Sequence, residues 1–197
     1  MRITCGEEPR SIAVIEIRRL RLDGLVEIRP KKFVDERGFF SEVWRDGWLA
    51  EAGIDVGFVQ DNHSYSTKRG VLRGLHFQLP PAAQDKLVRV ARGSIFDVAV
   101  DIRPGSATFG QWAGVTLSAA EWNQLLVPKG FAHGFLTLED DTEVLYKASA
   151  PYAPELDRSI RFNDPAIGIS WPVDHCDVLL SEKDSQAPLL SEFEGTL

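Results

Sequence analysis

The side chains best suited to chemistry lie in two glycine-framed segments of the chain, 70–78 and 128–135. His76 belongs to the first segment and His133 to the second. An imidazole with an ordinary pKa of ~6.5 can accept a proton at neutral pH. A histidine base also needs a partner that orients its ring, as in any histidine–carboxylate pair. A lone histidine is more often structural, so its neighbours decide between the two interpretations.

Metal binding is the other use that two histidines could have. A metal site in a β-barrel needs several ligands that converge from neighbouring strands, commonly histidines together with a carboxylate. Gln78 stands where a second histidine would be expected after His76, and positions 79–84 contain no acidic residue. Two histidines and one neutral amide are too few for a tight divalent site. The sequence therefore favours acid–base chemistry and predicts no metal.

Several polar or cationic residues fall near His76, on strands that should otherwise face a core. They are Arg73, Gln78, Lys86 and Arg89. Isolated buried charges are costly, so a site for an anionic ligand is the simplest interpretation of this group. Lys86 could stabilise a developing oxyanion, although a lysine taken alone is more often solvated.

A second candidate for proton transfer is Tyr146, which lies near the end of a later predicted strand. A phenol with an ordinary pKa of ~10 can donate a proton to a carbanion or an enolate. Taken alone, a tyrosine on a strand is more often a packing residue. The other two histidines, His63 and His175, lie in polar, loop-like surroundings and are interpreted as structural or exposed.

Length and composition are typical of one globular domain over residues 1–197, because 44% of the residues are hydrophobic. The formal net charge of −7 argues against a nucleic-acid partner. A small anionic ligand remains compatible with this charge, because local cations can make a positive pocket on an acidic protein. The two cysteines, Cys5 and Cys176, provide no disulfide framework and are interpreted as free thiols.

Targeting signals are absent from the sequence pattern. The beginning of the chain has no apolar segment of signal-peptide length. No stretch approaches the ~20 apolar residues that a membrane-spanning helix requires. We therefore expect a cytoplasmic protein without a membrane partner.

Short alternating segments separated by Gly, Pro and Asp turns dominate the chain, which predicts an all-β sandwich or barrel. Helical signals are confined to 47–52 and to 118–121, the latter with Ser118 as its N-cap. The stretch Ile12–Ile28 is strand-rich and could either join its own sheet or pair across a dimer. The clearest predicted strands are 87–91, 94–102, 114–117, 124–127, 132–138 and 142–147.

The two histidine segments resemble the two sequence halves of a cupin. The resemblance indicates an all-β cupin jelly-roll, a β-barrel or sandwich with a few short helices. Further motifs extend the similarity from about residue 25 to about residue 190. They are 33–42, 60–64, 70–78, 83–90, 96–103, 108–110, 128–135, 163–165 and 180–184. Together they resemble the dTDP-4-dehydrorhamnose 3,5-epimerase family, and residues 1–22 fall outside the similarity.

This resemblance implies a homodimer that needs neither a metal nor a cofactor. The implied substrate is dTDP-4-dehydro-6-deoxy-D-glucose, and the implied product is dTDP-4-dehydro-L-rhamnose. Among the matching positions, His76 resembles the base and Asp184 the carboxylate that orients it. Tyr146 resembles the acid on the opposite face of the sugar, and Lys86 resembles the group that stabilises the enolate.

The resemblance also implies binding roles for residues that composition alone would not single out. Arg37, Arg73 and His133 resemble contacts to the diphosphate and the sugar. Contacts to the nucleoside side, to thymine and to the rest of the substrate are implied for Glu42, Gln60, Asn62, Tyr152 and Lys183. At Asp157 the chain departs from the family, which usually carries Glu there. Aspartate keeps the charge but has a shorter reach.

Two other functions are compatible with this set of residues. A relative could act on another dTDP-ketosugar and invert only C3 or only C5. A cupin of this kind could also bind a sugar nucleotide without catalysis, or could be a metal oxygenase. The complete set of acid, base and oxyanion groups favours the 3,5-epimerase.

Overall fold

The structure, a computed structural model, describes residues 15–193 and consists mainly of antiparallel strands. Short strands form because β-branched and aromatic residues alternate with polar ones between turn residues. The strands are Ile15–Arg19 (β1), Val26–Pro30 (β2), Phe33–Asp35 (β3), Gly38–Phe40 (β4), Gln60–Ser66 (β5), Leu72–Gln78 (β6), Lys86–Arg92 (β7), Ser94–Asp101 (β8), Trp112–Ser118 (β9), Gln124–Val127 (β10), Phe131–Thr137 (β11), Thr142–Ala148 (β12) and Asp157–Ser159 (β13).

Two sheets form a sandwich, which confirms the predicted all-β jelly-roll. The six-stranded sheet has the order β1-β2-β10-β7-β12-β5, and the five-stranded sheet has the order β13-β6-β11-β8-β9. A separate hairpin consists of β3 and β4. Short helices connect the strands, namely the α-helix Glu182–Ser185 (α1) and the 3₁₀ helices Ala50–Ala52, Pro154–Leu156, His175–Asp177 and Leu190–Phe193. None of the helices in the described range could cross a membrane.

The interior of the sandwich is apolar over most of its length. It contains Val88 and Val144 from the six-stranded sheet, and Ile95 and Phe135 from the five-stranded sheet. Because side chains alternate between the faces of a strand, one set of residues from each sheet points into this space. Toward one end of the sandwich, polar side chains replace the apolar ones, and the candidate site lies at that end.

Chain segments cover the outer faces of both sheets. Trp48 and Leu49 pack on the six-stranded sheet. The C-terminal part of the chain crosses the five-stranded sheet and buries Trp171, whose ring packs edge-to-face on Phe96 at 6.0 Å between centroids. Trp171 thus packs against the outer face of the five-stranded sheet. This C-terminal covering segment also carries α1 to the end of the sandwich.

Several local predictions differ from the structure. The predicted helix over 47–52 is only the 3₁₀ helix Ala50–Ala52, because Gly47 and Gly53 adopt positive φ values of 79° and 74° on either side of it. Residues 118–121 form a turn rather than a helix. The Ser118 hydroxyl still accepts a hydrogen bond from the Glu121 N–H at 3.0 Å, but Trp122 has a φ of 61° and the chain then enters β10.

Two further predictions concern His63 and the opening stretch of the chain. His63 lies on β5 rather than in a loop, and its ring is exposed and contacts Glu143 at 3.1 Å. Strands β1 and β2 confirm the strand-rich character of the opening stretch, and β1 joins its own sheet. Cys5 and residues 12–14 of that stretch lie outside the described residues.

A buried carboxylate holds the turn that follows β8. Asp101 is fully buried and accepts hydrogen bonds from the Arg103 guanidinium at 2.7 Å, from Ser106 at 2.7 Å and from Thr108 at 2.6 Å. Burial alone would raise the pKa of Asp101, but the hydrogen bonds from Arg103, Thr108 and Ser106 outweigh it and hold the pKa far below its usual range. The stabilisation is therefore complete above the ordinary aspartate pKa of ~4, and it is lost progressively as the pH falls from there through the lowered pKa.

We expect Asp101→Asn to lower the free energy of unfolding by about 3 kcal/mol, because it breaks a buried ion pair. Urea unfolding followed by fluorescence measures this change. Asp35→Asn is the matched control, since Asp35 pairs with Arg37 at the same spacing but in an exposed position. An exposed pair contributes little, so the control should unfold like the wild type. Equal effects of the two substitutions would contradict the stabilising role that is assigned to the buried Asp101 carboxylate.

Candidate active site

The polar end of the sandwich opens into a cavity of about 490 Å³. Its polar lining residues are Ser64, Arg73, His76, Lys86, His133, Tyr146, Ser181, Lys183 and Asp184. A smaller cavity of about 240 Å³ lies on the other side of Lys86 and is lined mainly by apolar side chains such as Phe77 and Phe131. The larger cavity is the candidate site, because it collects the titratable side chains.

The first histidine of the cavity is held by a buried carboxylate. His76 Nε2 lies 2.6 Å from Asp184 Oδ1, and the Asp184 side chain is only 4% exposed. Asp184 belongs to α1, where its N–H donates to the Ser181 hydroxyl at 3.1 Å. Burial alone would raise the pKa of Asp184, but its hydrogen bond with His76 helps to hold the pKa below the usual value. An ionised carboxylate thus orients the His76 ring.

A bulge in β6 aims two residues into the cavity. Arg73 and His76 both line it, although strict alternation over three positions would turn them to opposite faces. From Arg73 to His76, β6 advances by three residues, whereas the paired part of β11 advances by only two. Strand β6 therefore carries one extra residue, which is a β-bulge. Gly74 lies there with a φ of 133°, and a Cβ atom would meet Gly134 Cα at 2.5 Å. Only glycine permits this approach of the two backbones.

A second histidine–carboxylate pair lies beside the first. His133 is the cross-strand neighbour of His76. Its Nε2 lies 2.9 Å and 3.0 Å from the two oxygens of Asp97, which is fully buried on β8. Sequence analysis did not single out Asp97. Its signal is a single carboxylate within the otherwise apolar run 95–100.

The opposite wall of the cavity belongs to the six-stranded sheet and carries Lys86 and Tyr146. Lys86 donates a hydrogen bond to the His76 carbonyl at 3.4 Å. Burial is the main reason that the pKa of Lys86 falls from 10.5 to about 8. Burial, followed by the charge of Asp157, raises the pKa of Tyr146 and keeps its phenol protonated. The imidazole and the phenol therefore face each other across one cavity.

A network of hydrogen bonds extends from Lys183, which lines the cavity, to residues outside the cavity lining. Gln60 Nε2 donates to Asn62 Oδ1 at 2.9 Å, and Gln60 Oε1 accepts from the Tyr152 N–H at 2.9 Å. The Tyr152 hydroxyl donates to Asp157 at 3.2 Å, and Lys183 forms an ion pair with the same carboxylate. The shorter reach of Asp157 is thus sufficient for two partners. This network connects four of the predicted binding residues to α1, although none of the four is among the residues that line the cavity: Gln60, Asn62, Tyr152 and Asp157.

Arg37 and Glu42 do not join this site within the chain. Arg37 lies next to the hairpin turn between β3 and β4 and pairs with Asp35 at 2.6 Å. Glu42 follows the hairpin and contacts Arg45 at 3.3 Å. Neither residue is among those that line the cavity.

Two of the polar residues that were predicted to lie near His76 are found elsewhere, namely Arg89 and Gln78. Arg89 lies on the outer face of β7, because Lys86 is three residues away and faces the interior. The expectation that Arg89 faces the site is therefore wrong. Gln78 holds a loop, since its amide donates to the Ala82 and Pro151 carbonyls at 2.7 Å and 3.2 Å. No group of three or more His, Cys, Asp or Glu side chains that could hold a metal ion occurs within residues 15–193.

The fold is that of a jelly-roll cupin, and its larger cavity collects the titratable side chains. The family model described as dTDP-4-dehydrorhamnose 3,5-epimerase matches residues 19–192. A dTDP-4-dehydrorhamnose 3,5-epimerase from Sinorhizobium fredii (strain NBRC 101917 / NGR234) is 56% identical over 166 residues, which cover 84% of this chain and 85% of that protein. The chain therefore belongs to the dTDP-4-dehydrorhamnose 3,5-epimerase family.

Solved structures are similar over nearly the same range. The dTDP-6-deoxy-D-glucose-3,5-epimerase from Legionella pneumophila Philadelphia 1, in complex with dTDP-4-keto-L-rhamnose, has a TM-score of 0.85 and 48% identity and covers 90% of this chain and 93% of that chain. A 3'-monoepimerase from Streptomyces bikiniensis, in complex with dTDP-quinovose, has a TM-score of 0.81 and 37% identity, with coverages of 89% and 88%.

We expect the Lys86 ammonium to titrate near pH 8, which NMR of its labelled ε-methylene group can measure. Asp157→Asn should lower this pKa, because the negative charge of Asp157 favours the ammonium. Lys183→Met should raise it, because Lys183 is a like charge. Shifts in the same direction for both variants, or an ordinary lysine titration in the wild type, would contradict the described geometry.

Proposed function

We propose that the protein is an isomerase that converts dTDP-4-dehydro-6-deoxy-D-glucose into dTDP-4-dehydro-L-rhamnose. Inversion at a carbon requires loss of a proton on one face and gain of a proton on the other. The observation that carries the proposal is the position of His76 and Tyr146 on opposite walls of one cavity. Family membership supports the choice of substrate. A cytoplasmic location is proposed with this function.

His76 is the proposed base. Its Nε2 is engaged by Asp184, so Nδ1 is the nitrogen that takes the proton from the carbon next to the C4 ketone. Asp184 stabilises the imidazolium that results and fixes the direction of the ring. The ketone acidifies both C3 and C5, so one base and one acid can serve both carbons after the sugar shifts.

Lys86 and Tyr146 complete the proton transfer. The Lys86 ammonium stabilises the enolate oxygen that forms at C4, which is the place where charge develops. Tyr146 then donates its proton to the opposite face of the carbon. Aligned acid and base groups contribute roughly 10²–10⁴-fold each, and the oxyanion contact must supply much of the remainder.

The remaining polar residues are proposed to hold the dTDP part of the substrate. Arg73 at the cavity mouth and His133 bind the diphosphate and the sugar, which anchors the ring in reactive geometry. Gln60 and Asn62 lie on the nucleoside side, and Tyr152 is exposed enough to stack on thymine. Lys183, which is paired with Asp157, provides a further contact to the substrate.

The proposal includes a homodimer, because a dimer contact would explain the exposed apolar residues of the β3–β4 hairpin. Phe33, Val34, Phe39 and Phe40 on this hairpin are exposed, with the Phe33–Phe40 pair on one face and the Val34–Phe39 pair on the other. Such a concentration of exposed apolar side chains marks an interaction site. Arg37 lies between them in the sequence but outside the cavity of its own chain. In a dimer, the hairpin could bring Arg37 and Glu42 to the site of the other copy.

Hydrogen exchange tests the reaction most simply. The purified protein is incubated with dTDP-4-dehydro-6-deoxy-D-glucose in deuterated water, and the product is identified by NMR. The proposal predicts deuterium and inversion at both C3 and C5. Exchange and inversion at only one carbon would favour the alternative of a monoepimerase. The 3'-monoepimerase from Streptomyces bikiniensis, whose structure is similar, is an example of that alternative. Binding without exchange would indicate a non-catalytic protein.

We expect His76→Ala and Tyr146→Phe each to lower the turnover rate by about 10²–10⁴-fold, because each removes one partner in proton transfer. Asp184→Asn should lower it less, since that residue orients the base. Steady-state kinetics measures these effects, and thermal unfolding serves as the control for folding. Near-normal turnover of His76→Ala would show that another group is the base.

We also expect the oligomeric state to depend on the hairpin. Val34→Asp combined with Phe40→Glu should shift the protein from dimer toward monomer, because it places charges in an apolar contact. Analytical ultracentrifugation measures the mass. Phe109→Glu is the control, since Phe109 is exposed outside the hairpin. A monomeric wild type at micromolar concentration would contradict the proposed dimer.

A further inference from the structure

Two adjacent residues of α1 are attached to two adjacent strands of the five-stranded sheet. The Asp184 carboxylate lies 2.6 Å from His76 Nε2 on β6, and Lys183 forms an ion pair with Asp157 on β13. Strand β13 pairs with β6, and Asp157 is the cross-strand partner of Gln78, two residues after His76. The helix is therefore attached to the sheet at two separate points.

The second attachment matters because α1 is short and holds the carboxylate that orients the base. It spans only Glu182–Ser185, and an isolated helix of this length is not stable in water. The backbone is held by hydrogen bonds at Leu179 before α1 and at Pro188 after it. Between these two points the position of the helix depends on its side chains.

The contacts of Asp184 do not by themselves fix the direction of the helix. Its carboxylate meets His76 at one oxygen and the Gly74 N–H at the other, the latter at 3.5 Å. Both contacts act on one side-chain group, about which the helix can still rotate. The Ser185 hydroxyl bonds within α1 instead, to the Glu182 carbonyl at 2.7 Å.

Asp157 provides a second and rigid point of attachment. Its carboxylate is only 12% exposed, its backbone belongs to β13, and the Tyr152 hydroxyl donates to it at 3.2 Å. Lys183 reaches this carboxylate from α1, and a hydrogen bond between two ionised groups is stronger than a neutral one. Because the Lys183 side chain is 52% exposed, the pair adds little to the free energy of unfolding. Its main effect is on geometry.

We propose that the ion pair between Lys183 and Asp157 positions Asp184, and through Asp184 orients the His76 ring for proton abstraction. Lys183 and Asp157 are thus positioning residues, in addition to the substrate contact that is proposed for Lys183. The inference rests on the proposed function, because it concerns the base of that reaction. Proton transfer is sensitive to such geometry, since a small misplacement of a reacting group lowers the rate strongly.

The kinetics of three variants separates positioning from substrate binding. Asp157→Asn and Lys183→Met each break the ion pair, and kcat should fall about tenfold in both. The exchange variant, Asp157→Lys together with Lys183→Asp, restores a pair of opposite charges and should recover most of kcat. KM should rise in the two variants that lack Lys183, because only those variants lose its contact with the substrate.

The charge near Lys86 does not explain this pattern. Asp157→Asn removes a charge that raises the pKa of Lys86, whereas Lys183→Met removes a charge that lowers it. Effects through Lys86 would therefore change kcat in opposite directions. Lys147→Met is the matched control, because Lys147 pairs with Asp61 at 2.7 Å between β12 and β5 of the other sheet. Its kcat should equal that of the wild type.

NMR of the free protein tests the positioning role without substrate. The His76 ring proton that is shared with Asp184 should give a sharp downfield signal, because the carboxylate slows its exchange with water. This signal should broaden beyond detection in Asp157→Asn and Lys183→Met, return in the exchange variant and stay unchanged in Lys147→Met. Loss of a substrate contact alone would leave the signal as it is.

The outcomes separate this inference from the proposed function. If the wild type inverts no carbon, the proposed function is wrong, and the NMR signal still decides whether the ion pair holds the His76 ring. If the wild type is active, an undiminished kcat and an unchanged signal in Asp157→Asn would overturn the positioning role. A folded exchange variant as slow as the single variants would also overturn it. Thermal unfolding checks folding, and Asp157→Asn, which keeps the shape of the side chain, decides the question if another variant is misfolded.

Discussion

The contact between His76 and Asp184 is the interaction on which the site depends. Asp184 is almost completely buried, and a buried carboxylate needs hydrogen bonds to remain ionised. His76, the Gly74 N–H and the Ser181 hydroxyl satisfy this need. The C-terminal part of the chain, which crosses the five-stranded sheet, therefore supplies the carboxylate that orients the His76 ring.

The second constraint is the space between the two sheets. An apolar interior excludes water and strengthens the interactions of the few charges that it contains. His76 and His133 come from one sheet, whereas Lys86 and Tyr146 come from the other. Because a sandwich keeps its sheets about 10 Å apart, groups on opposite walls can act on opposite faces of a ring between them. The fold thereby provides the geometry that inversion requires.

Much of the fold could be predicted from alternation alone, since the strands from Lys86 to Ala148 have apolar residues at every second position. Alternation also explains why the prediction for Arg89 was wrong. Arg89 lies an odd number of residues from Lys86 on an unbroken strand, so the two side chains point to opposite faces. Arg73 joins His76 only through a bulge at Gly74, and the sequence pattern does not reveal the bulge.

Residues that meet across long sequence separations could not be derived from local patterns. Asp184 lies far along the chain from His76, and only the family resemblance indicated their pairing. Asp97 lies in the motif 96–103, but no role was assigned to it, although a carboxylate among apolar residues is a recognisable signal. The two short helices were overestimated, because glycines at positive φ and the left-handed Trp122 end them early.

The central claim is that a base and an acid act on opposite faces of the same carbon. The most direct measurement is deuterium incorporation into the substrate by Tyr146→Phe, compared with His76→Ala. Tyr146→Phe should exchange the hydrogen next to the ketone without inverting the carbon, because His76 returns solvent deuterium to the face from which it took the proton. His76→Ala should do neither. Loss of exchange in Tyr146→Phe to the same extent as in His76→Ala would contradict the account.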